Sequence, residues 1–203
     1  HSDGYQYDLC DIVRQALSNR FYTNQIDYKS AYESKDLAKV KSLAHAQLEI
    51  LKDMDKLLSH RSEMCLNRWL SDAHSLASDE EEKKYFDFNA RTLITVWGDY
   101  YSNCPHLYDY AWREWNGMIG DYYYTRWKMF YDECEAHLAN GTRFDILNGD
   151  TYSQRLRSRN YDFGKRLGEF ELAWCKQYSA CVYPKDRDVT DSACALISKY
   201  NIG

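Results

Sequence analysis

Apolar residues recur along most of this chain at the three-and-four spacing of amphipathic helices, with charged residues filling the positions between them. From Asp8 to about Glu33 the apolar positions are Leu9, Ile12, Val13, Ala16, Phe21, Tyr28 and Tyr32, which predicts a first helix. A second runs through Leu37, Val40, Ala44, Leu48, Leu51, Met54 and Leu58, with Ser34 as its expected N-cap, and is the cleanest pattern in the chain. Ser59-His60-Arg61 interrupts it. A shorter helix follows, carrying Met64, Leu66, Trp69, Leu70, Ala73 and Leu76.

Ser78 and Glu81, three residues apart, read as a capping box that opens a fourth helix through Tyr85, Phe88, Leu93 and Ile94, which Gly98 is expected to end. Ser102-Asn103-Cys104-Pro105 predicts a loop, because proline forces its predecessor out of the helical region. Helical spacing then resumes through Tyr108, Trp112, Trp115, Ile119, Tyr123, Trp127, Phe130, Cys134 and Leu138, as far as Asn140-Gly141. Gly117, Gly120 and Thr125 mark a kink or a close approach of helices within it. Two further helices are expected near 151–177 and 190–200, separated by Pro184. No stretch alternates with period two for long enough to form a strand. The pattern predicts one all-α domain over 1–203, an irregular bundle of about seven helices, with residues 1–4 read as an appended segment or linker.

Composition adjusts this picture in few places. The formal net charge of -5 lacks the clustered Lys and Arg excess of a nucleic-acid-binding surface and favours a neutral or protein partner. No apolar run approaches the roughly 20 residues of a membrane helix. Seven cysteines form no CxxC pair, and an odd number leaves at least one thiol free; Cys175 and Cys181 are near enough in sequence for a local bridge. Asn140-Gly141-Thr142 fits a glycosylation acceptor and, equally, a helix C-cap.

Chemical motifs are scarce. No histidine follows a glutamate by three residues, and Glu133 with His137 makes one helix-face pair, so no metal set and no cofactor is expected from spacing. There is no nucleophile elbow, P-loop or dinucleotide fingerprint. The acidic run Asp79 to Glu82 suits a helix N-terminus, whose dipole favours negative charge. What stands out is 94–127, which holds Trp97, Trp112, Trp115 and Trp127, four of the six tryptophans. Trp112, Trp115, Ile119 and Tyr123 keep helical spacing and read as packing. Trp97 sits where a helix ends and a loop begins, a place from which side chains line clefts.

The series YDLCDIVRQALSNRF, SAYESKD, LKDMDKLL, RWLSDA, NARTLITVWG, LYDYAWREWNGMIGDYYYTRW and AWCKQY resembles the C-terminal helical domain of the α-N-acetylglucosaminidases, glycoside hydrolase family 89. Its most specific pieces are Asn89-Ala90-Arg91, Ile94 to Gly98, Asp109-Tyr110-Ala111, Gly117 and Tyr124 to Trp127, within which Asn89, Arg91, Gly98, Asp109, Gly117, Arg126 and Trp127 read as structural positions. The resemblance implies a larger secreted, periplasmic or lysosomal enzyme that releases terminal α-linked GlcNAc with retention, using two glutamates of a preceding (β/α)₈ barrel. It implies no catalytic residue in this chain, which would pack against that barrel and supply pocket-wall contacts from Trp97, Tyr110 and Leu107. An indole face suits the apolar side of a pyranose, and a phenol supplies a hydrogen bond. Arg126 would hold a buried carboxylate or carbonyls. The chain departs from the family's animal members between Gly98 and Asp109, where DYYSNCPHLY replaces a Gly-Pro-Glu-Gly type turn. The competing reading, from a different class, is a free-standing helical module whose aromatic cluster binds a protein partner.

Overall fold

In the computed structural model, which describes residues 2–97, 109–144, 162–178 and 180–202, every extended regular element is helical. The α-helices are α1 (Asp3–Glu33), α2 (Leu37–Leu58), α3 (Leu66–His74), α4 (Glu80–Leu93), α5 (Tyr124–Ala139), α6 (Asp162–Cys175) and α7 (Thr190–Tyr200). The expected all-α class therefore holds, with seven α-helices among the described residues. The helices fall into two compact units, the first built from 1–65, 115–144 and 183–203, the second from 66–114 and 145–182.

In the first unit, α1 and α2 form a helical hairpin. Its turn is a Schellman motif in which Lys35 takes the left-handed conformation (φ 59°), Asp36 N–H donates to Ala31 O and Lys35 N–H to Tyr32 O. Ser34 is consequently the C-cap of α1, and Asp36 caps α2 by accepting from Lys39 N–H at 3.0 Å. The Ser34 N-cap expectation is corrected because the turn needs two residues beyond the end of α1. Helix α1 also starts earlier than expected, at Asp3, with Ser2 Oγ accepting from Tyr5 N–H and Asp3 paired to Arg61 at 2.8 Å.

Apolar residues of α1 (Val13, Leu17), α2 (Ile50, Met54, Leu58) and α7 (Ala193, Leu196) make one core with Ile119. Burying each of the larger of these side chains contributes roughly 1.5–3 kcal/mol. At its edge, Trp127 packs on Phe21 (5.1 Å between centroids) and Tyr131 (5.5 Å). Arg126 lies over the Tyr122 and Tyr123 rings, at 5.1 and 5.7 Å, in cation–π packing.

The expected helix through Tyr108 to Tyr123 is not what forms over the described part of that stretch. Residues 109–117 turn, and a π-helical turn, Met118–Tyr123, leads into α5. Gly117 sits in the left-handed region (φ 82°), which a continuing helix cannot pass through. The spacing of Trp112 to Ile119 thus matches a helix without making one. Trp112 is 52 % exposed rather than packed, whereas Trp115 does lie against the core. Asp55 of α2 explains the glycines. Its Oδ1 accepts from Gly117 N–H (2.7 Å) and Gly120 N–H (2.8 Å), and a Cβ on Gly120 would meet Asp55 Cγ at 2.5 Å. Asn116 Nδ2 completes the cradle by donating to Oδ2 at 2.8 Å. The close approach anticipated at Gly117 and Gly120 is this one. Burial pushes the Asp55 carboxyl above its ordinary range, and these hydrogen bonds pull it part of the way back.

In the second unit, α4 begins one residue later than the expected capping box. Asp79 accepts from Glu81 and Glu82 N–H, and Glu82 reaches back to Ser78 N–H. It ends at Leu93, ahead of Gly98, which lies outside the described residues. The β-branched run Ile94-Thr95-Val96 is stiff in a helix, and the chain closes there with Trp97 N–H donating to Thr92 O at 2.7 Å. Helix α6 provides Trp174 and Cys175 to this unit's interior. Six cysteines, Cys175 and Cys181 among them, are free thiols, so the local bridge does not form.

Candidate functional site

The end of α4 positions the aromatic pair. Trp97 adopts a left-handed backbone (φ 58°) after the buried turn Ile94 to Val96, and its indole is half-buried. Asp109, also left-handed (φ 56°), donates its N–H to Thr95 O at 2.7 Å. That bond returns the chain alongside Thr95 and sets the Tyr110 ring edge-on to Trp97, with centroids 5.4 Å apart at 71°. Tyr110 is 70 % exposed, so its phenol faces solvent rather than a core. The fold therefore joins two of the three residues expected at a sugar. Leu107, the third, lies outside the described residues.

Trp97 also closes one end of a cleft of about 500 Å³, between Ala73 and Leu76 on one side and Phe86, Asn89, Ala90 and Leu93 of α4 on the other. Its walls are mainly apolar, and the amide of Asn89 is an exposed polar group among them. Such a lining suits an apolar face carrying a few polar groups. Among the described residues its lining has no pair of carboxylates, and what they offer is shape and stacking.

Behind the cleft, a polar cluster locks α4 in place. Asp87, wholly buried, accepts from Arg91 Nε at 2.6 Å through Oδ1 and pairs with His74 Nε2 at 2.9 Å through Oδ2. Arg91 in turn lies 4.7 Å from the centre of the Trp174 ring. Trp69 Nε1 donates to Ala90 O at 3.1 Å, and Thr95 Oγ1 sits 3.4 Å from Cys175 Sγ. Arg91, matched by motif alone, is thus the pivot that holds α4 between α3 and α6. Cys181 completes the cluster, its Sγ 3.4 Å from His74 Nδ1 and 3.8 Å from Nε2. Burial and the Asp87 carboxylate push this thiol up to about 11, against the pull of Arg91, so at neutral pH it is not a thiolate nucleophile.

Sequence reasoning missed that cluster. His74, Asp87 and Cys181 come from α3, α4 and the segment after α6, and no short spacing links them. The pair it did single out, Glu133 and His137, is an ordinary helix-face contact at 3.5 Å on α5, in the other unit. Gly141 (φ 69°) serves the C-cap role read for it: Thr142 N–H donates to His137 O, closing α5 as Lys35 closes α1.

A family model described as the α-N-acetylglucosaminidase C-terminal domain matches residues 1–199. Human α-N-acetylglucosaminidase is 31% identical over 185 residues, which is 82% of this chain and 24% of that protein. A family 89 glycoside hydrolase from Clostridium perfringens, solved in complex with PUGNAc, is similar at 28% identity with a TM-score of 0.78 over 98% of this chain and 21% of its own. A double variant of the Clostridium enzyme, in complex with its substrate GlcNAc-α-1,4-galactose, matches at 29% identity, again with a TM-score of 0.78 over 98% of this chain and 21% of its own. The chain thus spans less than a quarter of the length of these relatives.

Proposed function

Because the chain belongs to the α-N-acetylglucosaminidase C-terminal domain family, we propose that it is the C-terminal helical part of a retaining exo-α-N-acetylglucosaminidase. In this reading a catalytic (β/α)₈ barrel elsewhere in the polypeptide carries the two glutamates, and the helical domain packs on it. The parent enzyme releases terminal α-linked GlcNAc in a lysosomal, periplasmic or secreted setting. This chain's part is binding: Trp97 stacks on the sugar, Tyr110 gives a hydrogen bond from its phenol, and Leu107 adds an apolar contact.

The observation that carries this reading is the Trp97–Tyr110 pair, a half-buried indole and an exposed phenol held edge to face by the Asp109–Thr95 backbone bond. Neither side chain spends itself on core packing, and an indole with a neighbouring hydroxyl is a suitable surface for a neutral amino-sugar. The described lining of the cleft has no carboxylate pair, and the isolated chain is expected to be inactive.

Kinetics on an aryl α-N-acetylglucosaminide test this. Trp97→Ala in the full-length enzyme is expected to lower kcat/KM roughly threefold to tenfold, the equivalent of one aromatic contact, with helicity retained. Unchanged kinetics in a folded Trp97→Ala enzyme would remove this edge from the sugar site. Hydrolysis by the isolated chain above an enzyme-free control would remove the division of labour.

A further inference from the structure

The cluster behind the cleft presents three different ligand types to one point. His74 offers a ring nitrogen, Asp87 a carboxylate oxygen and Cys181 a sulfur, all within 4.8 Å of one another. The ligand atoms around a tetrahedral zinc, bonded at about 2.0–2.3 Å, stand roughly 3.3–3.8 Å apart. His74 Nε2 stands 3.8 Å from Cys181 Sγ, at the upper end of that range, and 2.9 Å from Asp87 Oδ2, a hydrogen-bond distance that lengthens by about half an ångström when an ion takes the place of the proton. The outer support is also present: Arg91 Nε holds Asp87 Oδ1, leaving Oδ2 facing the imidazole, and the Tyr178 ring stands 5.4 Å from the imidazole.

From this geometry we propose that His74, Asp87 and Cys181 form a binding site for a borderline-soft divalent cation of the zinc type. Sulfur, imidazole and carboxylate together select such an ion over calcium or magnesium, which take all-oxygen cages. On binding, the cation replaces the Cys181 Sγ–H proton, which passes to the solvent. His74 Nε2 turns from hydrogen-bond donor to ligand, and the ring hydrogen is carried on Nδ1. Three protein ligands leave a fourth position for water. The bound ion ties α3, α4 and the segment after α6 to one point, directly behind the wall that carries Asn89 and Trp97.

Titration of Co²⁺ into the reduced 203-residue chain tests the site. One equivalent is expected to produce sulfur-to-cobalt charge-transfer absorption, and Zn²⁺ is expected to abolish it by displacement. Cys181→Ser should lose the band, His74→Gln should weaken binding by about tenfold or more, and Cys194→Ser, which alters an exposed thiol, should change neither. Absence of the band in the unaltered chain, or its survival in Cys181→Ser, overturns the proposal. A measurement without variants stands beside it. Zn²⁺ should slow alkylation of Cys181 by iodoacetamide, read by peptide mass spectrometry, while labelling of Cys194 is unaffected; equal labelling of Cys181 with and without Zn²⁺ overturns the site too.

Discussion

Two aspartates, one in each unit, Asp55 half-buried and Asp87 wholly buried, solve the same problem differently. Asp55 is met by neutral donors, the backbone N–H groups of Gly117 and Gly120 and the amide of Asn116. Asp87 is met by a guanidinium and an imidazole, with a thiol at the imidazole's side. The first arrangement only holds shape, because its donors belong to a backbone turn that a carboxylate pins to α2. The second holds shape with groups that can exchange protons or bind a cation. A charge satisfied by backbone fixes a fold, whereas one satisfied by titratable side chains also leaves chemistry available.

Removing the acceptors should separate the two. Asp87→Ala leaves Arg91 buried without its partner and is expected to cost about 3–5 kcal/mol, measured by denaturant unfolding. A loss below about 1 kcal/mol would show that the cluster does not hold α4. Asp55→Ala strands donors of the π-helical turn and is expected to cost about 3 kcal/mol. Gly120→Ala, which drives a Cβ into the same carboxylate, should cost about 2 kcal/mol alone and markedly less in the Asp55→Ala background. Additive losses would sever the proposed link between that glycine and Asp55.

The pH profile sharpens the contrast. Burial raises the Asp55 carboxyl in the folded chain above its unfolded value of 3.8, so the folded state binds the proton more tightly. Stability from this group is then full below that value and is lost as pH rises through the folded one. Asp55→Asn should flatten this part of the stability profile, and parallel profiles for the two proteins would contradict the assignment. The smallest effect is expected at the α1–α2 turn. Lys35→Gly relieves a left-handed lysine and should raise stability by about 1 kcal/mol, seen as a higher Tm.

Most of the fold was legible because most of it is local. Helix α2 shows an unbroken apolar stripe, and its limits at Leu37 and Leu58 follow from that stripe and the polar residues at either end. Caps were legible to within a residue or two: Ser34 stood two residues before the capping Asp36 and Ser78 one before the capping Asp79, since a serine and an aspartate carry equal weight until the turn geometry is known. The stretch from Trp112 to Ile119 misled because aromatic residues there repeat at 3.6 by coincidence, and only the left-handed Gly117 reveals the break. Trp97 was legible as a residue at a helix end. Its partnership with Tyr110 came only from the family resemblance, because the Asp109–Thr95 bond that creates it spans a loop with no period of its own. The cluster of His74, Asp87 and Cys181 was not legible at all, being assembled by tertiary packing from residues far apart in the chain.

The first unit has a consequence in time as well as in space. Gln6 in α1 accepts from Val189 N–H at 2.7 Å, Asp186 accepts from Ser62 N–H, and Arg187 spans to Ser59 and His60, so the start of the unit is closed by residues made near its end. During synthesis the apolar face of α1 and α2 has no Val189, Ala193 or Leu196 to meet until those later residues have left the ribosome. A nascent chain therefore carries an open seam from the emergence of α2 until residues 189–196 follow, and a premature stop before residue 189 releases a product with that seam unsealed.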